Sequence, residues 1–486
     1  MEYIINGIQP AEVFHFFEEI SAIPRPSGKE EPISAYLCRF AQEHGLEYVR
    51  DALYNVVIKK PGSAGCEQIP AVMLQGHQDM VCEKRRDVAH DFECEGISLV
   101  VDGDYLTADG TTLGADNGIA MAMMLAVLAD DTLTHPPLEC VFTVQEEIGL
   151  IGAAGLDASL LTARTMINLD SEEEGVATVS CAGGLRVDLS RQTAVESADS
   201  LYGCTIAVSG LKGGHSGTDI DTGRANANKL MGRILNRLWG ELPFRIVSLT
   251  GGNKDNAIPR ECTAVLAFER ETDRAAAIVL LQKTMTALTE ELHHTEPAFS
   301  CVCDSTALSG TALSLADTRD LVRLITLAPN GVQSRNAVQN FVISSLNLGI
   351  LNVKDGRAAI TFAPRSSVGT LQEEMKERLA TLAETFGYHI AFSGEYPGWA
   401  YSEQSPIRDT CCAVWRELLG QELRVEAIHA GLECGLFQDK LPGLDAIAIG
   451  PTMEHVHTPD ERLDMASCAR VYQLLLRVLE RLTAPC

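Results

Sequence analysis

Four short apolar runs in the first 180 residues constrain the fold of this chain more than any other feature. They occupy residues 55–58, 71–74, 140–144 and 166–169, and each is followed by polar or acidic residues. Helical patterns separate some of them, including an uninterrupted apolar segment over residues 119–129. Short buried strands that alternate with helices are typical of an α/β layer with a mostly parallel or mixed sheet.

The pattern changes after residue 184. From about residue 187 to 395, strands alternate with long amphipathic helices, which we predict over residues 222–239, 274–293 and 371–386. The strand–helix–strand rhythm occurs twice, which predicts an α+β domain with ferredoxin-like units. The α/β character returns with runs at 424–428 and 446–450 and a final helix over 466–482.

The length of 486 residues also favours two domains. We therefore predict an α/β catalytic domain with a central mixed sheet, built from residues 1–186 and 396–486. The α+β domain, residues 187–395, is inserted into it.

The charge balance excludes some functions. Lysine and arginine total 39 against 66 acidic residues, a formal net charge of −27. Such a surface repels phosphate backbones and anionic lipid, so we expect neither nucleic acid nor a membrane as partner.

The chain opens without the basic segment of a secretory signal, and its 15 cysteines contain no C-x-x-C pair. We expect a cytoplasmic protein with reduced thiols.

Residue types that bind metals follow the predicted strands. They are His77 and Asp79, Glu146 and Glu147, Asp170, and finally His457. Asp116 stands just before the apolar helix. Because open α/β sheets bind ligands at the carboxyl ends of their strands, we expect these side chains to share one edge.

Each residue alone is a weak signal, since an isolated histidine is more often structural and Asp116 could simply cap a helix. Their coincidence at one edge favours a metal site. Histidine and carboxylate ligands suit zinc, with manganese or cobalt as replacements. A carboxylate can bridge two cations about 3.5–4 Å apart, and such a pair generates hydroxide at neutral pH. One member of the Glu146–Glu147 pair is then free to act as a base, and Asp79 is placed to hold His77.

At these residues the sequence resembles the zinc-dependent dipeptidases and aminoacylases related to carnosinase. The likeness covers nearly the whole chain and is most specific at residues 108–118 (ADGTTLGADNG). The other stretches that carry it are residues 23–30, 75–80, 146–149, 168–172, 213–217 and 455–461. The resemblance implies a di-zinc catalytic domain and an inserted lid domain that carries dimer contacts.

The resemblance also implies roles for single residues. One metal would be bound by His77 and Asp170, the other by Glu147 and His457, with Asp116 as the bridge.

Glu146 would then be the general base and proton shuttle, and Asp79 would orient His77. We prefer His457 to His455 because it directly precedes Thr-Pro-Asp-Glu, where the family has its ligand.

Three residues of the inserted domain would bind substrate. His215, which lies among glycines, would stabilise the oxyanion. Asn256 and Arg365 would hold the free carboxylate of the substrate, for which arginine offers a bidentate fork. The alternative for Arg365 is a surface ion pair. In relatives the histidine that corresponds to His215 reaches the site of the partner subunit, which implies a homodimer.

The function so implied is hydrolysis of dipeptides, including those ending in histidine such as β-alanyl-histidine, by a metal-bridging water with a glutamate base. An aminoacylase or aminopeptidase would share the metal core, because fold does not fix substrate. A non-catalytic peptide-binding protein is a further alternative, against which the complete set of ligands argues. A cysteine or serine hydrolase is weaker, since no cysteine lies in a recognisable nucleophile turn.

Overall fold

The computed structural model describes residues 3–484. The chain divides into two compact units. Unit 1 comprises Met1–Ser180, Tyr401–Ala427 and Leu432–Cys486, and unit 2 comprises Cys181–Ala400 and Ile428–Gly431. Unit 1 is α/β and unit 2 is an inserted α+β unit, as predicted.

The helices and strands are numbered in chain order. The chain up to residue 181 contains α1 (Ala11–Ser21), α2 (Glu31–Glu43), β1 (Glu47–Arg50), β2 (Val56–Lys60), β3 (Val72–His77), β4 (Leu99–Asp102), β5 (Tyr105–Ala108), α3 (Ala115–Ala129), β6 (Leu138–Thr143), α4 (Ile151–Gly155), β7 (Thr165–Asn168) and β8 (Val176–Cys181).

The middle of the chain contains β9 (Gly183–Gln192), β10 (Val195–Ser197), β11 (Tyr202–Ser209), β12 (Gly214–His215), α5 (Ala227–Trp239), β13 (Arg245–Gly251), β14 (Ala257–Ile258), β15 (Cys262–Phe268), α6 (Glu271–Leu292), β16 (Ser300–Thr306), β17 (Thr311–Leu313), α7 (Leu315–Leu327), β18 (Gly331–Arg335), β19 (Val342–Lys354), β20 (Arg357–Ser366), α8 (Gly369–Phe386) and β21 (His389–Tyr396). The last part contains α9 (Pro406–Leu419), β22 (Arg424–Ile428), α10 (Glu433–Lys440), β23 (Asp445–Ala448), β24 (Met453–Glu454), β25 (Arg462–Asp464) and α11 (Met465–Arg481).

The main sheet of unit 1 has the order β1-β2-β6-β3-β7-β23-β8-β22. Its central strands are parallel, since β3 pairs in parallel with β6 and β7, and β7 pairs in parallel with β23. The flanking pairs β1–β2, β2–β6 and β8–β23 are antiparallel, so the sheet is mixed, as predicted. Every residue of β3 and β6 is buried, which explains the apolar runs at 72–74 and 140–142 within them. The carboxyl ends of β6, β3, β7 and β23 therefore meet at one edge.

Helix α3 packs directly on β3. All of its residues from 115 to 128 are buried, in agreement with the predicted apolar helix. Gly76 of β3 makes this approach possible, because a Cβ there would lie 2.4 Å from Asn117 Oδ1 and 2.9 Å from the Ala120 Cβ. The close packing brings the start of α3, with Asp116, to the carboxyl end of β3.

A second sheet in unit 1 has the order β24-β25-β5-β4. Strands β24 and β25 pair antiparallel, and the loop between them carries His457. Both His455 and His457 have positive φ angles, 55° and 65°, a backbone region that few non-glycine residues adopt.

Unit 2 contains two βαββαβ motifs side by side. In one, β11, α5, β13, β15, α6 and β16 follow each other, and the strands pair in the order β16-β11-β15-β13. In the other, β9, α7, β19, β20, α8 and β21 give the order β19-β20-β9-β21, and β13 pairs with β19 to join the two. These are the two ferredoxin-like units that the sequence predicted, the first being inserted within the second.

The helix predicted from residue 222 begins later, at Ala227. Asn226 ends the preceding loop because its side chain accepts the N–H groups of Asn228 and Lys229. Within residues 3–484 no helix combines the length and the apolar content needed to cross a membrane. No disulfide joins the cysteines of this part of the chain.

Candidate metal centre

The predicted metal ligands of unit 1 come together in two clusters at the carboxyl edge of the sheet. In the first, His77 Nε2 lies 3.1 Å from Asp116 Oδ1 and 3.5 Å from Asp170 Oδ1. His77 is the last residue of β3, and Asp170 stands two residues beyond β7. The three potential ligand atoms lie within 4.8 Å of one another.

In the second cluster, His457 Nε2 lies 3.0 Å from Asp116 Oδ2 and 2.9 Å from Glu147 Oε1. The carboxylate of Asp116 thus presents one oxygen to each histidine. This is the arrangement that a bridging carboxylate between two cations requires.

Asp116 does not cap α3. Its two carboxylate oxygens lie against His77 and His457 and not against the N–H groups of the helix, and the backbone of Asp116 is extended, with φ −81° and ψ 105°. The extended backbone turns the carboxylate away from the helix N–H groups and towards the two histidines.

Asp79 connects His77 to the loop after β6. Its carboxylate accepts hydrogen bonds from Ser27 Oγ at 2.7 Å and from the N–H groups of Glu146 and Glu147 at 3.1 and 3.3 Å. The Nδ1 atom of His77 faces the Asp79 carbonyl oxygen at 3.1 Å and its Oδ1 at 3.4 Å. Asp79 therefore contacts both a candidate ligand and the backbone of the candidate base.

Glu146 joins His77 and Glu147 in a third group of neighbouring ligand atoms. Loss of hydration raises the pKa of Glu146 well above its usual value, with His77 opposing the shift and Asp170 adding to it. A raised pKa makes a carboxylate a better proton acceptor, as a general base requires.

The pKa values of the other side chains in the two clusters depend on one another. Burial opposes ionisation of Asp116, but hydrogen bonds to His457 and His77 outweigh it and lower the Asp116 pKa. Contact with Asp116 and Glu147 raises the pKa of His457 to about 11. Burial raises the pKa of Asp170 to about 6.

Two properties of the clustered histidine and carboxylate side chains suit divalent metal ions. Two imidazoles and three carboxylates form the nitrogen and oxygen donor set that divalent transition metals accept. Carboxylates packed this closely favour a positive charge between them, which the shifted pKa values of the histidines reflect.

A buried polar network beneath the site was not foreseen from the sequence. Glu433, the first residue of α10, accepts hydrogen bonds from Thr143 Oγ1 at 2.7 Å and from Gln75 Nε2 at 2.5 Å. Gln75 in turn accepts from Asn168 Nδ2 at 2.6 Å, and the Asp170 N–H donates to Asn168 Oδ1 at 3.2 Å. Burial raises the pKa of Glu433 to about 7. Polar residues within otherwise apolar strands were the signal that could have identified this network.

The predicted substrate residues lie together in unit 2. The Ser216 N–H donates to the carbonyl oxygen of Asn256 at 2.8 Å, and Arg365 Nε donates to Ser216 Oγ at 3.4 Å. Arg365 also donates to the Tyr396 hydroxyl at 3.0 Å. Arg365 is only 9% exposed, so it is not a surface residue, and it forms no ion pair with any other residue described by the structure.

His215 neighbours this group as a neutral side chain. Its Nδ1 accepts the N–H groups of Gly217 and Thr218 at 3.3 and 3.2 Å, which assigns the ring proton to Nε2. Burial and the positive charge of Arg365 lower the pKa of His215. The imidazole is therefore a hydrogen-bond donor through Nε2 at neutral pH.

Comparison with known proteins agrees with the family indicated by the motifs. The model of peptidase family M20/M25/M40 matches residues 73–481. Cytosol non-specific dipeptidase of Escherichia coli (strain K12) is 38% identical over 487 residues, which covers 99% of each chain.

Solved structures agree with this relationship. Aminoacylhistidine dipeptidase from Vibrio alginolyticus superposes with a TM-score of 0.93 at 36% identity, over 98% of this chain and 97% of that chain. A tripeptidase from Staphylococcus aureus, 16% identical over 98% of this chain and 99% of that chain, has a TM-score of 0.56 and shares the fold. The resemblance inferred from the motifs is confirmed: this chain belongs to peptidase family M20/M25/M40.

Proposed function

We propose that this protein is a dipeptidase that works with two divalent metal ions, zinc in the first place and manganese or cobalt as replacements. The observation that carries the proposal is the Asp116 carboxylate, which offers one oxygen to each of two histidine–carboxylate clusters. The Escherichia coli relative, named as a dipeptidase and 38% identical over the full length, supports the substrate class.

We assign one metal to His77 and Asp170 and the other to Glu147 and His457, with Asp116 as the bridge. The assignment follows two of the three groups of neighbouring ligand atoms, the ones that share Asp116. Bound there, the ions would polarise the substrate carbonyl and lower the pKa of water at the site.

The protein's own residues then move the proton. Glu146, whose pKa is raised by loss of hydration, takes a proton from the attacking water and returns it to the leaving amine. Asp79 acts as a positioning residue, because it contacts His77 and accepts the N–H of Glu146.

Unit 2 would supply the groups that recognise the substrate. His215 donates through Nε2–H to the oxygen that becomes negative in the transition state. Arg365 and Asn256 hold the free carboxylate, a role supported by the burial of Arg365 without an acidic partner in the described structure. We propose that unit 2 acts as a lid and carries the contacts of a homodimer. A mass measurement in solution tests the dimer.

We further propose that the protein acts in the cytoplasm on a range of dipeptides, including β-alanyl-histidine and other dipeptides that end in histidine. The named relatives, a cytosol non-specific dipeptidase and an aminoacylhistidine dipeptidase, support both points.

The decisive test is hydrolysis by the purified protein before and after chelation, with zinc, manganese and cobalt returned one at a time. Dipeptides, tripeptides, amino-acid amides and N-acylated amino acids are offered in parallel. We expect cleavage of dipeptides that is lost on chelation and restored by metal. Cleavage of N-acylated amino acids alone would indicate an acylase. Release of single residues from tripeptides would indicate an aminopeptidase. If the metal-loaded protein cleaved none of these compounds, it would be a binding protein.

A further inference from the structure

A buried carboxylate holds the loop that carries Asp116. Glu461 is 2% exposed, and its Oε2 accepts the N–H groups of Leu113 and Gly114 at 2.8 and 3.1 Å. Its Oε1 accepts the N–H groups of Ala115 and Asp116 at 2.9 and 3.4 Å. Four consecutive amides in the loop that leads into α3 thus converge on one side chain.

These four amides stabilise the negative charge of Glu461, and the buried guanidinium of Arg25 also interacts with it electrostatically. Successive backbone N–H groups that converge on one point carry partial positive charge and favour an anion. A carboxylate with two oxygens can accept all four hydrogen bonds, whereas an amide side chain keeps only one oxygen.

Arg25 holds the same loop from the other side. Its Nη2 donates to the Gly114 carbonyl oxygen at 2.5 Å, and its Nη1 donates to the carbonyl oxygens of Gln78 and Asp79 at 3.0 and 3.1 Å. Gly114 has φ 71°, and a Cβ there would lie 2.6 Å from Arg25 Nη2. Side chains therefore bind both the N–H groups and a carbonyl oxygen of the loop just before Asp116.

Glu461 also links two distant parts of the chain. It stands four residues after His457, and it contacts the backbone of Asp116, whose carboxylate lies 3.0 Å from His457 Nε2. One side chain thereby fixes the spacing between two candidate ligands that come from different ends of the sequence.

We propose that Glu461 is a positioning residue that preorganises the cluster of Asp116, Glu147 and His457 for a metal ion. The inference rests on the proposed metal site. Glu461 contacts neither the substrate nor the metal in this role. Loss of its hydrogen bonds weakens metal binding because the Asp116 loop must then be ordered when the ion binds.

The test compares Glu461→Gln with Glu139→Gln. Glu139 is the control, because it is also buried in unit 1 and its carboxylate accepts the N–H groups of Thr162 and Ala163 at the amino end of β6, away from the metal cluster. Unlike Glu461, it also lies 3.4 Å from Lys59 Nζ. Both variants are stripped of metal and titrated with Co²⁺, whose visible absorption bands report ligand geometry.

For Glu461→Gln we expect Co²⁺ binding at one equivalent to weaken about 10- to 100-fold, with altered bands. His457→Ala supplies the reference spectrum for a damaged second cluster. Glu139→Gln is expected to lose stability but to keep the wild-type affinity and spectrum. Wild-type affinity and spectrum in folded Glu461→Gln would overturn the proposal. Failure of the wild-type protein to bind Co²⁺ would instead refute the proposed function.

A measurement on the wild-type protein covers the case in which the variant does not fold. Hydrogen exchange of the peptide that contains residues 113–116 is followed in the metal-free protein. We expect these four amides to be protected before any metal is added. Fast exchange that slows only on metal binding would show that Glu461 does not preorganise the loop, and would overturn the proposal.

Discussion

Asp116 Oδ2 lies 3.0 Å from His457 Nε2, although 341 positions separate the two residues in the sequence. Because His457 belongs to the second cluster alone, we expect His457→Ala to lose one of two bound metal ions and Asp116→Asn to weaken both. Metal content after dialysis, measured by mass spectrometry, checks this. His455→Ala is the control, since His455 is exposed and also has a positive φ. Equal metal loss in the His455 and His457 variants would refute the assignment of His457.

Replacement of Glu146 should separate catalysis from metal binding. Glu146→Gln keeps the shape of the side chain but cannot take a proton, so we expect kcat to fall by at least about 10²- to 10⁴-fold. Both metal ions should remain bound. The exposed Glu43→Gln serves as the control and should be fully active. Near-normal turnover in Glu146→Gln would show that another residue is the base.

Arg365 should determine recognition of the free carboxylate. Loss of a charge-assisted hydrogen bond costs about 1.5–3 kcal/mol, so Arg365→Gln should lower kcat/KM for dipeptides about 10- to 100-fold. Arg357, an exposed arginine of the same strand, provides the control Arg357→Gln. Hydrolysis of dipeptide amides, which lack the carboxylate, should change little. A similar loss on both substrates would contradict this role.

The stability of unit 2 should fall in mild acid through His429. Burial lowers the pKa of His429 to about 4, and Arg365 and His215 add to the shift while Asp221 opposes it. The unfolded chain binds the proton more readily than the folded protein does. The free energy of unfolding therefore falls as the pH drops below about 6.5, and it reaches its lower limit below about pH 4. The shift corresponds to a loss on the order of 3 kcal/mol.

Hydrogen exchange of unit 2 peptides between pH 7 and pH 4 measures this loss. His429→Asn gives up the 2.7 Å hydrogen bond to Ser345 and starts from a lower stability. Its stability should nevertheless change less across this pH range. Equal pH dependence of wild type and variant would exclude His429 as the source.

Gly76 should be needed for the packing of α3 on β3. A Cβ at this position would meet Asn117 Oδ1 at 2.4 Å, and this oxygen also accepts the His77 N–H at 3.2 Å. We expect Gly76→Ala to lower the free energy of unfolding by about 1–3 kcal/mol and to weaken metal binding. Gly369→Ala is the control, because a Cβ there meets no atom within 4 Å. Thermal unfolding with and without metal measures both effects, and an unchanged Gly76→Ala would contradict them.

Local pattern in the sequence was sufficient for much of the fold. The apolar runs that became β3, β6 and β7 predicted buried strands, because strands covered on both faces are rich in apolar side chains. The same runs placed His77, Glu147 and Asp170 at strand ends, and parallel strands bring such ends to one edge. The double strand–helix rhythm of unit 2 likewise followed from periodicity.

What the sequence alone determined is which segments are buried and which residue types stand at their ends, because hydrophobic periodicity is a local property of the chain. Only the tertiary structure decided which partners those residues have. Nothing near Glu461 in the sequence indicates that it accepts four amides from residues 113–116, and nothing near Glu433 indicates its contact with Gln75. Hydrogen bonds of this kind join segments hundreds of positions apart, so they are defined only when packing has fixed the position of both.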